Sequence, residues 1–222
     1  MKSEDMRDSK SRGESLVGSS PTLGIFTETE NKKLLKLKAY IIGVALGDGN
    51  LSNPNGRATR LRITCDTRYP ALIEKIASSL KLIFPDNKVA FVKRPKNCID
   101  ISCYSNQLES LLGWNALQGP KYKQEVSVPQ WIKANLDYST ECLRGLIETD
   151  GSVYNDRGYL MINFTTIIPS LANDVFSLIN NLGFKAHIYF IKGKVQSAKS
   201  KYVIRISKNA KEFKDIVNIQ KN

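Results

Sequence analysis

Apolar and polar positions along the chain follow two alternating rhythms. From residue 32 to 47 the apolar residues recur at helical spacing with no proline between them, which predicts a helix ending at Gly47-Asp48-Gly49, where glycine supplies the backbone freedom a helix exit needs. A strand is predicted to begin at 50–52, and Asn53-Pro54-Asn55-Gly56 reads as a turn. Residues 57–66 then alternate strictly, with Leu61, Ile63 and Cys65 on one face and Arg60, Arg62 and Thr64 on the other, as in a half-buried antiparallel strand with a cationic outer face. Helical spacing returns over 70–84 through Leu72, Ile73, Ile76, Leu80 and Ile83. Strands are predicted at 89–93 and 98–104, the second with Ile99, Ile101 and Cys103 inward and Asp100, Ser102 and Tyr104 outward, and a short helix at 106–112 closes the unit.

The same order then recurs. A helix at 140–149 ends in Asp150-Gly151, a strand starts at 152–154, and Asn155-Asp156-Arg157-Gly158 turns the chain into a strand at 159–165. In that strand Leu160, Ile162 and Phe164 face in, while Tyr159, Met161, Asn163 and Thr165 face out. A helix at 169–182, strands at 185–191 and 201–207 joined by a basic loop, and a helix at 209–219 complete the second unit. Asp48 and Asp150 are 102 residues apart, Pro70 and Pro169 are 99 apart, and Asn106 and Asn209 are 103 apart. Near-constant offsets at three landmarks mark an internal duplication. The expected fold is therefore α+β, with two pseudo-symmetric αββαββα repeats. The division is a flexible leader at 1–29, a first half at 30–113, a linker at 114–138 and a second half at 139–222.

Composition narrows the function. The 222-residue chain is 41% hydrophobic, as in an ordinary globular protein, yet Lys and Arg outnumber Asp and Glu by 33 to 21 for a formal charge of +12. That surplus favours a polyanionic partner, nucleic acid before anionic membrane. The longest apolar run, 39–46, is far too short to span a bilayer, and residues 1–10 are charged with no apolar core, so neither a membrane span nor a secretory signal is expected. Cys65, Cys98, Cys103 and Cys142 form no CxxC pair, which fits reduced core thiols in a protein of the cytoplasm or an organelle with access to DNA.

The duplicated helix carries the candidate chemistry. Gly43 and Gly47 lie four apart on one face, and Gly145 and Thr149 hold the equivalent places, so two backbones can approach closely. Pairing of the helices would bring Asp48 and Asp150 together at their C-terminal ends. Carboxylates there repel each other and meet the negative end of the helix dipole. A raised pKa or a divalent cation relieves that conflict, and Mg²⁺ suits carboxylate oxygens where phosphate also arrives.

Ile41-Ile42-Gly43-Val44-Ala45-Leu46-Gly47-Asp48-Gly49 and Leu143-Arg144-Gly145-Leu146-Ile147-Glu148-Thr149-Asp150-Gly151 resemble the two signature motifs of the LAGLIDADG homing endonucleases, and the order of elements from about residue 34 to 219 is similar to that family. The resemblance implies a monomer with its motif helices paired at the interface and antiparallel sheets forming a saddle in the DNA major groove. It also implies a Mg²⁺ or other divalent site at Asp48 and Asp150, with Gly47 and Thr149 beside them, that cuts both strands. Lys121 matches the place of a basic residue the family often carries near its active site. The second half offers no clear counterpart, Lys221 being only a weak match, so no symmetric lysine role is assigned. Glu148 stands where the family often has an acidic residue and Leu46 does not; Glu148 is left unassigned between metal and surface.

The outward strand residues are the expected readers of base edges: Arg60, Arg62, Thr64, Lys93, Asp100, Ser102 and Tyr104 in the first half, and Tyr159, Asn163, Thr165, Lys185, His187, Tyr189 and Arg205 in the second. Lys192, Lys194, Lys199 and Lys201 are expected at phosphates. Because the two faces differ, the target should be an asymmetric duplex. The competing reading is an intron-RNA splicing partner, or a DNA-binding protein on the same fold that does not cleave. An endonuclease embedded in a self-splicing protein is disfavoured, because no splicing nucleophile is evident at either terminus.

Overall fold

A computed structural model of the chain describes residues 27–193 and 199–221; the predicted leader up to residue 26, and Lys194, lie outside the described residues. Helix α1 (Glu28–Gly47) opens on a capping box, in which the Glu30 amide donates to Thr27 Oγ1 and the Thr27 amide donates to Glu30 Oε2 at 2.9 Å. The helix thus starts ahead of the predicted residue 32, and residues 27–29, expected in the leader, form its cap and first turn. From Ala39 to Leu46 every residue of α1 is buried, so this half of the helix runs through the core rather than over it.

Strands β1 (Gly49–Ser52), β2 (Arg60–Asp66), β3 (Val89–Arg94) and β4 (Cys98–Tyr104) form an antiparallel sheet in the order β1-β2-β4-β3, with α2 (Pro70–Ile83) and α3 (Leu108–Leu112) between and after them. The second half repeats this with α5 (Leu136–Asp150), β5 (Gly151–Asp156), β6 (Tyr159–Thr166), α6 (Pro169–Asn181), β7 (Ala186–Ile191), β8 (Lys201–Ile206) and α7 (Ala210–Val217), in the sheet order β5-β6-β8-β7. The expected α+β architecture of two pseudo-symmetric αββαββα repeats with saddle-forming antiparallel sheets is what the chain adopts. Leu61, Ile63 and Ile101 of the first sheet and Ile162, Phe164 and Ile204 of the second join Tyr40, Ile41, Ile42, Leu143 and Leu146 in one continuous core beneath both halves. Burying such a side chain is worth about 1.5–3 kcal/mol, and each half draws on this shared core.

Element ends differ from the alternation pattern in a few places. Strand β2 starts at Arg60 rather than 57, and Asn106 and Gln107 precede α3 instead of belonging to it. The predicted linker at 114–138 is ordered: it holds a 3-10 turn at Lys121–Lys123, a short helix α4 (Gln130–Lys133), and the first residues of α5. Asn135 caps α5 by accepting the Tyr138 amide at 3.2 Å, which moves the helix start to Leu136. Asp174 of α6 pins the linker, accepting the Val128 amide at 2.7 Å and pairing with Lys133.

Candidate active site and nucleic-acid interface

Helices α1 and α5 make the most extensive helix contact in the chain. They cross where Gly43 meets Gly145: a methyl group on Gly43 would overlap the Cys142 carbonyl, and one on Gly145 would fall against the Tyr40 carbonyl and 2.7 Å from the Val44 nitrogen. One turn further on, Gly47 faces the Thr149 hydroxyl and the Asp150 carboxyl. The seam therefore delivers Asp48, the C-cap of α1, and Asp150, the last residue of α5, to the same point, where each carboxyl perturbs the other. No loop follows either helix. Gly49 and Gly151 open β1 and β5 directly, packed so closely on the Ala45 and Ile147 backbones that a side chain would collide there.

Lys121, from the 3-10 turn, donates from Nζ to the Ala45, Leu46 and Gly47 carbonyls, at 3.1 and 2.7 Å for the first two. Lys221 donates from Nζ to the Thr149 and Gly151 carbonyls at 2.8 and 2.7 Å. Each ammonium thus sits on the unsatisfied carbonyls at the C-terminal end of one motif helix, where the dipole favours a cation. Lys221, only a weak match by sequence, thus holds the place in the second half that Lys121 holds in the first. The overlooked signal was the separation of Lys121 and Lys221, 100 residues, in line with the other landmarks of the duplication.

Asp48 and Asp150 both reach the surface, yet the packed helix ends around them take away much of their water. Burial first, and the Asp48 charge second, push the Asp150 carboxyl up to about 6 against the pull of Lys121. Burial also raises Asp48, with Lys121 and Lys221 opposing. Burial pushes the Lys121 ammonium down to about 8, opposed by Asp150 and Asp48, and lowers Lys221 by the same cause. Among the described residues there is no group of three or more His, Cys, Asp and Glu placed to hold a metal. The oxygen donors gathered here are instead two carboxylates and the Gly47 and Thr149 carbonyls, both now bonded to a lysine.

Glu148 faces neither surface nor solvent. Only 3% exposed, it accepts the Tyr40 hydroxyl at 2.9 Å, Arg144 Nε at 3.2 Å and the Gln220 amide at 3.1 Å, with Lys75 Nζ at 3.6 Å. Leu46, its counterpart on α1, is buried in the core.

On the sheets, pairing register decides which residues share a face. Arg60, Arg62 and Thr64 stand opposite Tyr104, Ser102 and Asp100, so six of the seven expected first-half readers lie together on the face away from the helices. Lys93 does not: it pairs with Ile99 and shares the helix-side face, because β3 runs in the other register. Arg94, missed in sequence, takes the outer place instead. Asp100 is also less available than alternation suggests. It is buried, accepting Thr64 Oγ1 at 2.7 Å and Arg94 Nε at 2.6 Å with Arg62 Nε 4.0 Å away, and so organises the two arginines rather than projecting from the sheet. Ser102 is buried beside it.

In the second sheet Asn163 and His187 flank Arg205, and Thr165 and Tyr189 flank Val203, all on one outer face with Tyr159 at the hairpin end. Met161 of that face is buried, under Arg205. Lys185 is exposed just before β7 rather than within it. Arg62 Nε, Arg205 Nε and Asn163 Oδ1 are buried without a hydrogen-bond partner. Lys199 lies 3.4 Å over the Tyr122 ring, and Lys201 joins Lys121, Tyr122, Thr165 and Asp150 around a cleft of ≈ 360 Å³ beside the carboxylates. No helix among the described residues is long and apolar enough to cross a membrane.

Comparison with known proteins converges on the same architecture. Residues 37–99 match the family described as the WhiA LAGLIDADG-like domain, and residues 137–218 match the LAGLIDADG-like domain family. The solved structure of the homing endonuclease I-DmoI in complex with DNA and Mn superposes with a TM-score of 0.62 at 19% identity, covering 83% of this chain and 97% of that one. Full-length DUF199/WhiA from Thermatoga maritima superposes at 0.56 with 14% identity, over 84% of this chain and 56% of that one. A curated relative, the ATP-dependent DNA helicase Hel308 of Thermococcus kodakarensis, is 26% identical over 155 residues; the match takes in 68% of this chain but only 13% of the helicase. The chain has a LAGLIDADG-like two-motif fold.

Proposed function

We propose that this two-motif LAGLIDADG-like chain is a site-specific endonuclease that hydrolyses both strands of a long, asymmetric DNA duplex, using divalent metal held at Asp48 and Asp150. The observation that carries the reading is the convergence of these two carboxylates, each flanked by a helix-end lysine, at the seam between two sheets with cationic outer faces. A protein that only bound nucleic acid would have no use for paired carboxylates whose charges burial and mutual repulsion oppose.

The donor chemistry fits a hard cation. Carboxylate and carbonyl oxygens are what Mg²⁺ takes, usually with one or two carboxylates, several waters and a substrate phosphate. Asp48 and Asp150 would hold it, with the Gly47 and Thr149 carbonyls available once the lysines move. Bound there, a divalent cation supplies charge stabilisation and an activated water for phosphodiester hydrolysis. The protein's own residues do the rest. Gly43 and Gly145 set the spacing of the carboxylates, Lys121 and Lys221 bring positive charge to either side of the scissile phosphates, and the sheets fix the duplex by phosphate contacts and base edges.

Incubation with a randomised duplex library and Mg²⁺, followed by sequencing of cut ends, should return one long non-palindromic site. Asp48→Asn and Asp150→Asn should each abolish double-strand cleavage, by about 10³-fold or more, while binding of that site in Ca²⁺ persists. Tight RNA or DNA binding with no cleavage in any divalent cation would overturn the endonuclease reading. Loss of binding in both variants would mean the carboxylates serve structure instead.

A further inference from the structure

The two lysines reach equivalent places by unequal means. Lys121 belongs to the ordered linker, where the Gln124 side chain ties the turn together by donating to the Asn115 and Gly119 carbonyls and accepting the Asn115 amide. Lys221 belongs to a short tail after α7. That tail is fixed by the Ile219 amide donating to the Lys214 carbonyl at 3.0 Å, by the buried Ile219 side chain, and by the Gln220 amide donating to Glu148 Oε1 at 3.1 Å. The last contact joins the residue before Lys221 to a carboxylate of the very helix on whose end Lys221 Nζ rests. Glu148 is itself locked from the other side by Tyr40 and Arg144. In the first half the corresponding position is Leu46, which offers no acceptor, so this anchor exists on one side only.

We infer that Glu148 is a positioning residue for Lys221, and that through this anchor it governs cleavage of one DNA strand and not the other. The inference rests on the endonuclease reading above. A charged donor–acceptor contact with a buried carboxylate is among the stronger hydrogen bonds a backbone amide makes. Its loss removes the backbone tie between the tail and α5, leaving Ile219, the Gln220–Asn218 contact and the Lys221 ammonium's own bonds. The Lys221 ammonium then samples positions off the Thr149 and Gly151 carbonyls, while Lys121 is unaffected. Glu148→Gln keeps an oxygen to accept the Gln220 amide; Glu148→Leu reproduces the first-half residue and does not.

The experiment uses the full chain and the duplex selected from the randomised library, with each strand carrying a different label, in Mg²⁺. Glu148→Leu is expected to slow one strand by about tenfold or more with accumulation of nicked duplex, and Lys221→Met to slow the same strand. Glu148→Gln should retain both strand rates within about threefold of the unsubstituted protein. Amide hydrogen exchange supplies a readout independent of cutting: the Gln220 amide should be protected in the unsubstituted protein and in Glu148→Gln, and exchange freely in Glu148→Leu. Equal slowing of both strands in Glu148→Leu, slowing of opposite strands in Glu148→Leu and Lys221→Met, or a Gln220 amide indifferent to Glu148 would each overturn the inference. If the unsubstituted protein cuts neither strand, the strand effect falls with the parent reading, whereas Gln220 protection that depends on Glu148 would still uphold the anchor.

Discussion

Lys75 brings an ammonium into the interior beside Glu148, where Nζ lies 3.8 Å above the Tyr40 ring but has no hydrogen-bond partner. Burial pushes it down to about 8 from an ordinary 10.5, although Glu148 pulls the other way. A lysine depressed in the folded state holds its proton more tightly when unfolded. Its charge therefore costs stability at neutral pH, and the cost is relieved as pH rises through about 8 toward 10.5. Lys75→Met should accordingly stabilise the protein at pH 7 by about 1 kcal/mol, a figure reduced from the full shift because solvent reaches part of the side chain. The gain should shrink toward pH 10. Urea unfolding at the two pH values measures it; a gain that is the same at both would assign the effect to packing. The carboxylates differ in how their charge is met. Asp100 is satisfied by Thr64 and Arg94 and holds the outer face of its sheet in order, whereas Asp48 and Asp150 have chiefly each other and two lysines.

At the scale of elements, the α1–α5 crossing is the most constrained feature. Gly145→Ala places a methyl group against the Tyr40 carbonyl and Val44 nitrogen of a facing backbone, which cannot rotate away as a side chain would. A loss of about 1–3 kcal/mol is expected, with the carboxylates pushed apart, so that thermal unfolding and cleavage should both suffer. Retention of full stability would show the seam to be looser than its geometry. This crossing and the order of elements along the chain were legible in sequence, because Gly43 and Gly145 and the strict alternations of 57–66 and 159–165 are short-range signals repeated twice. What escaped were relations across strands and over long separations. The face of Lys93 depends on how β3 registers against β4, which its own few residues do not encode. The burial of Asp100 follows from arginines on two neighbouring strands. Glu148 stays open between metal and surface in the sequence, because the tail that covers it lies more than seventy positions away. Asn135 as the cap of α5 was local and readable, but the polar stretch around it resembled a linker.

The whole molecule presents two different outer faces on one chain whose formal charge is +12. If duplex DNA lies along both, its affinity should fall by about a thousandfold between 50 and 200 mM salt, as phosphate neutralisation by six or more basic groups demands. Fluorescence anisotropy across that range would measure the slope, and a flat dependence would remove the faces from the binding surface. One consequence follows from the direct joining of helix to strand at Gly49 and Gly151. With no slack between Asp48 and β1, or between Asp150 and β5, the proposed cutting and reading groups would be held on one rigid ruler. A residue inserted at either joint would turn every outward side chain of that strand inward. New targets are thus reachable by exchanging side chains on the sheets, while the cut should keep its fixed distance from whatever bases are read.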